Sequence, residues 1–194
     1  MQLLRIFSGT NYKGTRNYLK TQKKFEIIRT VIYFGISISL FIAGWVATKE
    51  RINLLTVVAI LGCLPASKSA VGMIMYLRYP GCSKESGDAI EAHMDGLNGM
   101  FDMVFTSYDK NYQVAHVTVK GNTICGYTED KNFEEQIFNK HISAILKADN
   151  YRDTSIKIFS DLNKYLERLE QLKELDTDAT HTQGIMDTLK SVSL

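Results

Sequence analysis

TVIYFGISISLFIAGWVAT, residues 30–48, runs nineteen positions without a charge between Arg29 and Lys49. At 1.5 Å of rise per residue, a helix of that length approaches the roughly 30 Å hydrocarbon core of a bilayer. A second apolar run follows at once after Lys49-Glu50-Arg51. It is INLLTVVAILGCLPASKSAVGMIMYL, residues 52–77, interrupted only by Pro65 and Lys68. Two such runs with so short a joint predict an antiparallel transmembrane hairpin over residues 25–80, with both chain ends on one side. A secretory signal is the rival for the first run. The run is too long for one, lacks a convincing cleavage site and leads straight into a second hydrophobic segment.

Charge gives the orientation. Residues 1–84 carry twelve Lys or Arg against Glu26 and Glu50, whereas residues 85–194 carry eleven against nineteen acids, so the two parts are +10 and −8. Arg5, Lys13, Arg16, Lys20, Lys23, Lys24 and Arg29 precede the first run, and the connection between the runs offers only Lys49 and Arg51. The positive-inside bias therefore places both termini in the cytoplasm. Residues 1–24 read as a basic segment, either a short interfacial helix or a solvated tail. Small residues every fourth position, Gly35, Ser39 and Ala43 on the first run and Gly62, Ala66 and Ala70 on the second, predict the faces on which the helices meet. They offer slight support for a homo-oligomer as well.

Lys68 is the one charge inside the second run. Sixteen residues separate it from Arg51, about 24 Å of helix, so its ammonium is expected to snorkel to lipid headgroups. A functional contact with a pore or an anionic lipid is the other reading of such a charge. Cys63, Cys82 and Cys125 form an odd set without metal-ligand spacing and read as reduced thiols.

Residues 85–194 change in style. A helix is expected over 88–99, with Ile90, Met94 and Leu97 on one face. Strand-like FDMVFTSY follows, then YQVAHVTVK and TICGYTE flanking Gly121-Asn122, a two-residue hairpin signal. Asn132 is the expected cap of a helix, with Glu135 reaching back to it and Phe133, Ile137, Phe138, Ile142, Ile145 and Leu146 along its apolar stripe. TSIKIFS is a further strand, Asp161 caps a helix carrying Leu162, Tyr165, Leu166, Leu169 and Leu172, and Ile185, Met186 and Leu189 mark a last one. The expected order is α, three β, α, β, α.

That order resembles the restriction-endonuclease-like fold. Gln113-Val114-Ala115-His116-Val117-Thr118-Val119 resembles the Q-I-D-H-I-V-V strand of the NERD (nuclease-related) family, over about twenty residues with the turn and next strand. The resemblance implies a metal-dependent nuclease, but Ala115 stands where the family carries a metal-binding aspartate. Counting from the turn, Gly126 and Glu129 fall where its acid and lysine belong. In a register with residue 120 opposite 123, Asp109, Glu129 and Lys131 instead gather at one end of the hairpin. These are the side-chain types that hold Mg²⁺ and orient water in phosphodiester cleavage.

The same register puts Ala115, Val117, Val119, Ile124, Gly126 and Thr128 on one face and His116, Thr118, Cys125 and Tyr127 on the other. His116 beside Tyr127 is a candidate ligand-contacting pair, with cross-strand packing as the plainer reading. One Cys and one His on a hairpin do not make a zinc site, and no metal site is expected. His93 and His141 read as core histidines. No glycine-rich phosphate loop, Ser-His-Asp arrangement or CxxC pair occurs in the sequence.

The function expected is therefore a membrane-anchored scaffold or receptor, non-enzymatic and without cofactor, whose partners are the bilayer and a protein or small ligand. Nucleic acid is disfavoured by the −8 charge. The alternatives are a membrane-tethered nuclease and a ligand-gated effector that permeabilises the bilayer. A Lys-, Ile- and Asn-rich style with a basic start suggests a bacterial inner membrane.

Overall fold

The computed structural model describes residues 13–50, 53–107, 110–175 and 179–194. The chain divides into two compact units, one spanning Leu19–Pro80 and the other Gly81–Leu194 together with the described residues from Lys13 to Tyr18.

The first unit is a helix pair, α1 (Tyr18–Thr48) and α2 (Leu54–Leu77). Both are long and apolar enough to cross a membrane, and only 17% of each apolar window is buried. Val46, Leu54 and Leu64 are 71%, 80% and 69% exposed, so apolar side chains coat the outside. Polar ones are inside: Glu26, Thr30 and Ser37 of α1 and Ser69 of α2 are buried, and the Thr30 and Ser69 hydroxyls are hydrogen-bonded at 2.9 Å. Such an arrangement inverts that of a water-soluble helix pair. Asn53 starts α2 by accepting the Thr56 N–H at 2.9 Å on its side-chain oxygen.

The helices do not meet on the expected face of α1. Gly35 has open space where a side chain would begin, and Ser39 and Ala43 are exposed. The stripe that faces α2 contains Ser37, two residues on from Gly35. A Cβ at Gly44 would fall 2.8 Å from the Leu55 Cβ, and one at Gly62 would fall 2.8 Å from the Ser37 hydroxyl. Two residues turn a helix by about 200°, onto its opposite side. Ser37 and Gly44 follow Thr30 at helical spacing, and these hydrogen-bonding and small groups let the backbones approach. On α2 the expected stripe is closer to the truth, with Ala66 buried and Gly62 and Ala70 half-buried.

The second unit contains α3 (Lys84–Ala92), β1 (Asn98–Thr106), β2 (Asn111–Lys120), β3 (Thr123–Tyr127), α4 (Glu135–Ala148), β4 (Ser155–Phe159), α5 (Leu162–Glu174) and α6 (Thr182–Ser191), with a short 3₁₀ turn at Ala179–His181. The sheet order is β1-β2-β3-β4. The first three strands are antiparallel neighbours, and β4 lies parallel to β3 after the α4 crossover. On one face, Met100, Met103, Val114, Val117 and Val119 pack with Phe138, Ile142 and Leu146 of α4 and Ile185, Met186 and Leu189 of α6. On the other, Phe101, Ala115, Cys125 and Tyr127 pack with Ile90 of α3 and Tyr165, Leu169 and Leu172 of α5. The element order and the 120-to-123 register are those expected from the sequence.

Several details differ. α3 begins at Lys84, where Ser83 caps it by accepting the Ser86 N–H at 3.2 Å, so Met94 and Leu97 lie beyond its end and pack from the following loop. Asn132 does not cap α4. Glu134 holds the cap position without a side-chain bond, and Glu135 accepts from the Ile158 N–H at 3.4 Å instead. The expectation for Asp161 is met, its carboxylate accepting from the N–H groups of Asn163 and Lys164.

Ala115 is on the opposite face from Val117 and Val119. Strict alternation fails at one place in both strands. Met100 and Met103 point to the α4/α6 side, and so do Val114 and Val117. Asp102 has φ of +57°, the left-handed region that asparagine and aspartate tolerate best among residues with a Cβ. Its carboxylate accepts the Cys82 N–H at 2.7 Å.

Of the N-terminal segment, residues 1–12 lie outside the described residues, residues 13–17 pack with the second unit, and Tyr18 onward belongs to α1. Gly14 accepts the Phe101 N–H on its carbonyl at 2.8 Å, with φ of +84° and room for no more than a hydrogen against Met100. Lys13 donates to the Ser193 carbonyl at 2.8 Å, and the Arg16 guanidinium is paired with both Asp88 and Glu91 of α3. The stretch that enters α1 and the stretch after Pro80 are thus both fastened to β1, at residues 100–102.

Candidate functional site

Hydrogen bonding and burial, rather than an open cleft, dominate the region the sequence singles out. His116 and Tyr127 are cross-strand partners, as are Thr118 and Cys125. His116 is completely buried. Its Nδ1 lies 2.7 Å from the Tyr165 hydroxyl, which lies 3.1 Å from the Thr118 hydroxyl, and the Phe101 ring sits with its centroid 4.3 Å away. Its Nε2 has no partner among the described residues. A Cβ on Gly99 would fall 2.5 Å from that nitrogen and 2.4 Å from the Met94 methyl, so glycine is required there for the imidazole to fit.

Burial without a counter-charge pushes the His116 pKa down to about 3, and the ring is neutral at physiological pH. Burial raises the Tyr165 phenol as well, and it raises the Cys125 thiol, against the opposing pull of Arg168. Groups of this kind are poor acids, bases and nucleophiles. Tyr127 is 7% exposed, its ring stacked on Tyr165 at 5.8 Å between centroids and its hydroxyl 3.4 Å from that of Ser86. The pair therefore sits inside the sheet–α5 layer, closed to solvent.

Of the three nuclease-type residues, Asp109 lies outside the described residues. Glu129 is exposed and receives the Ser83 N–H at 3.3 and 3.2 Å on its two carboxylate oxygens. That places a carboxylate at the first turn of α3, where the helix dipole favours negative charge. Lys131 is exposed in the turn before α4 and makes no ion pair with Glu129. Among the described residues no group of three His, Cys, Asp or Glu is placed to hold a metal ion. His93 and His141 are half-buried rather than core, each with a ring nitrogen on a carbonyl oxygen, Ala89 at 2.8 Å and Thr106 at 3.2 Å.

Lys68 is exposed on α2 and borders a crevice of about 350 Å³ between the helices, lined also by Glu26, Arg29, Tyr33 and Ser69. Glu26 is 6% exposed, accepting from Arg29 at 2.8 Å and from Gln22 at 3.3 Å. Sequence reasoning counted Glu26 only as a charge. Its signal was the spacing Gln22, Glu26, Thr30, which stacks polar residues one helical turn apart.

No protein-family model, curated protein or solved structure matches the chain. Its class rests on the molecule itself. It joins a helix pair that is apolar outside and polar inside to an α/β domain with a mixed four-stranded sheet.

Proposed function

We propose that the protein is a membrane-anchored scaffold or receptor. The helix pair crosses the bilayer, and the α/β domain is held at the cytoplasmic face, where it binds a protein or a small ligand without chemistry of its own. The observation that carries this reading is the inverted polarity of the helix pair, with exposed Val, Leu and Ile outside and Glu26, Thr30, Ser37 and Ser69 within. In water such a surface would drive aggregation. In lipid it is the stable arrangement, because polar groups facing hydrocarbon are costly.

Both termini are cytoplasmic in this reading, given the basic residues ahead of α1 and the positive-inside bias, and the membrane is a bacterial inner membrane. The domain is a restriction-endonuclease-like fold related to the nuclease family resembled by Gln113–Val119. Support comes from its antiparallel meander with a parallel fourth strand. The family's reaction is not assigned to it. Ala115 supplies no metal ligand, Glu129 is engaged with the start of α3, and His116 is sealed and neutral.

Two measurements test the proposal. Alkaline carbonate should leave the full-length chain in the membrane pellet, and release into the supernatant would end the anchor reading. Purified chain should leave DNA and RNA intact in Mg²⁺ or Mn²⁺. Cleavage that disappears in Glu129→Ala would replace the scaffold with a nuclease.

A further inference from the structure

The interior of the helix pair is least like hydrocarbon at the level of Thr30 and Ser69. Their hydrogen bond sets the two helices in register there, so that the residues before them, Arg29 and Lys68, border the same crevice. One turn away, the Glu26 carboxylate lies near Gly72, where a Cβ would be 3.7 Å from its Oε2. Glu26 is already bonded to Arg29 and Gln22. Lys68 has no acidic partner within ion-pair distance among the described residues, although it stands in a helix that is otherwise uncharged. The crevice therefore holds two cations against one carboxylate, a net charge of +1.

We propose that this crevice binds one phosphate ester anion, the headgroup phosphate of an anionic phospholipid, between Lys68 and Arg29. The inference rests on the membrane-spanning reading above. Lys68 and Arg29 supply N–H donors to phosphate oxygens, Arg29 with a planar fork and Lys68 as a point charge. Tyr33 and Ser69 line the same space, polar company that suits a glycerol or other polyol headgroup. Ile32 and Ile36 on α1 and Leu61 and Leu64 on α2 are exposed on the bilayer side of Arg29 and Lys68, giving acyl chains an apolar track that a soluble phosphate would not use. Basic pockets between spanning helices on the cytoplasmic side are suited to anionic headgroups.

The test is native mass spectrometry of the full-length chain in non-ionic detergent, titrated with short-chain phosphatidylglycerol or phosphatidylcholine. One phosphatidylglycerol should be retained per chain in preference to phosphatidylcholine. Lys68→Gln should weaken phosphatidylglycerol about fivefold or more, as loss of one lipid-facing cation implies. Lys68→Arg should restore it.

Glu26→Gln should strengthen binding, because it removes the one carboxylate that lines the crevice among the described residues. A merely structural role for this cluster would not give opposite signs for the two substitutions. Equal retention of the two lipids, or an unchanged preference in Lys68→Gln, overturns the proposal. Displacement of phosphatidylglycerol by millimolar inorganic phosphate also overturns it, reassigning the crevice to a soluble anion. Reconstitution into vesicles of the same lipids separates this failure from failure of the anchor. A chain that resists carbonate but shows no headgroup preference lacks the site and keeps the anchor.

Discussion

The two units solve opposite solvation problems with the same residue types. In the helix pair, leucine and valine face outward and the hydroxyls of Thr30, Ser37 and Ser69 face inward. In the α/β domain, leucine and valine line the two faces of the sheet, and the charges of α5 lie outside. A hydroxyl pair does similar work in both places, Thr30 with Ser69 and Thr118 with Tyr165, satisfying buried donors. What differs is the cost of losing an apolar side chain, because the α/β domain buries most of its large ones and the helix pair leaves most of its own exposed.

Leu169 and Leu64 put that contrast at its largest. Leu169 is fully buried between α5 and the sheet, and Leu64 is 69% exposed on α2. Leu169→Ala should destabilise the α/β domain by about 2–5 kcal/mol, read from hydrogen exchange of α5 amides in the full-length chain. Leu64→Ala should change the stability of either unit by less than about 0.5 kcal/mol. A large loss in the second variant would mean that the outer face of α2 is a packed interface.

Next in size is a pH effect confined to the α/β domain. The pKa of His116 is about 3 when folded against an ordinary 6.5, so the unfolded chain takes up the proton first. The stability it contributes is present above about pH 6.5 and declines as pH falls toward the folded value. Between pH 7 and pH 5 the loss should be about 2 kcal/mol relative to a His116→Gln variant. Parallel pH–stability curves for the two proteins would show that the ring is not sealed.

Tyr165→Phe should cost about 1–3 kcal/mol, because it strips a partner from both His116 and Thr118. Asp161→Ala should cost about 1 kcal/mol by uncapping α5, measured by the same exchange experiment. The smallest effect belongs to the helix pair. Removing the Thr30–Ser69 bond in a double-mutant cycle should yield about 0.6 kcal/mol of coupling, followed by helix-pair unfolding in detergent.

Much of the fold could be read from residue order. The apolar runs, the Gly121-Asn122 turn, the Asp161 cap and the 120-to-123 pairing depend on neighbours in sequence, which periodicity and turn chemistry report directly. The face of α1 could not be read this way. Gly35, Ser39 and Ala43 are as well spaced as the stripe that faces α2, and the choice rests on how Gly44 meets Leu55 and how Ser37 meets Gly62. The candidate site was legible in its pairing and not in its accessibility. His116 does face Tyr127, yet α5 closes over both, and nothing near them in sequence announces a helix that starts at residue 162.

Sequence alone therefore determined that two apolar helices precede an acidic α/β domain, because hydrophobic run length and charge are local sums along the chain. Tertiary structure alone decided three further matters. Gly14 and Cys82 are fastened to β1, Glu129 meets the start of α3, and Glu26, Arg29 and Lys68 share one crevice. Each depends on groups twenty or more residues apart meeting within a few ångströms. Such meetings are set by the packing of whole elements, on which the local pattern of residues is silent.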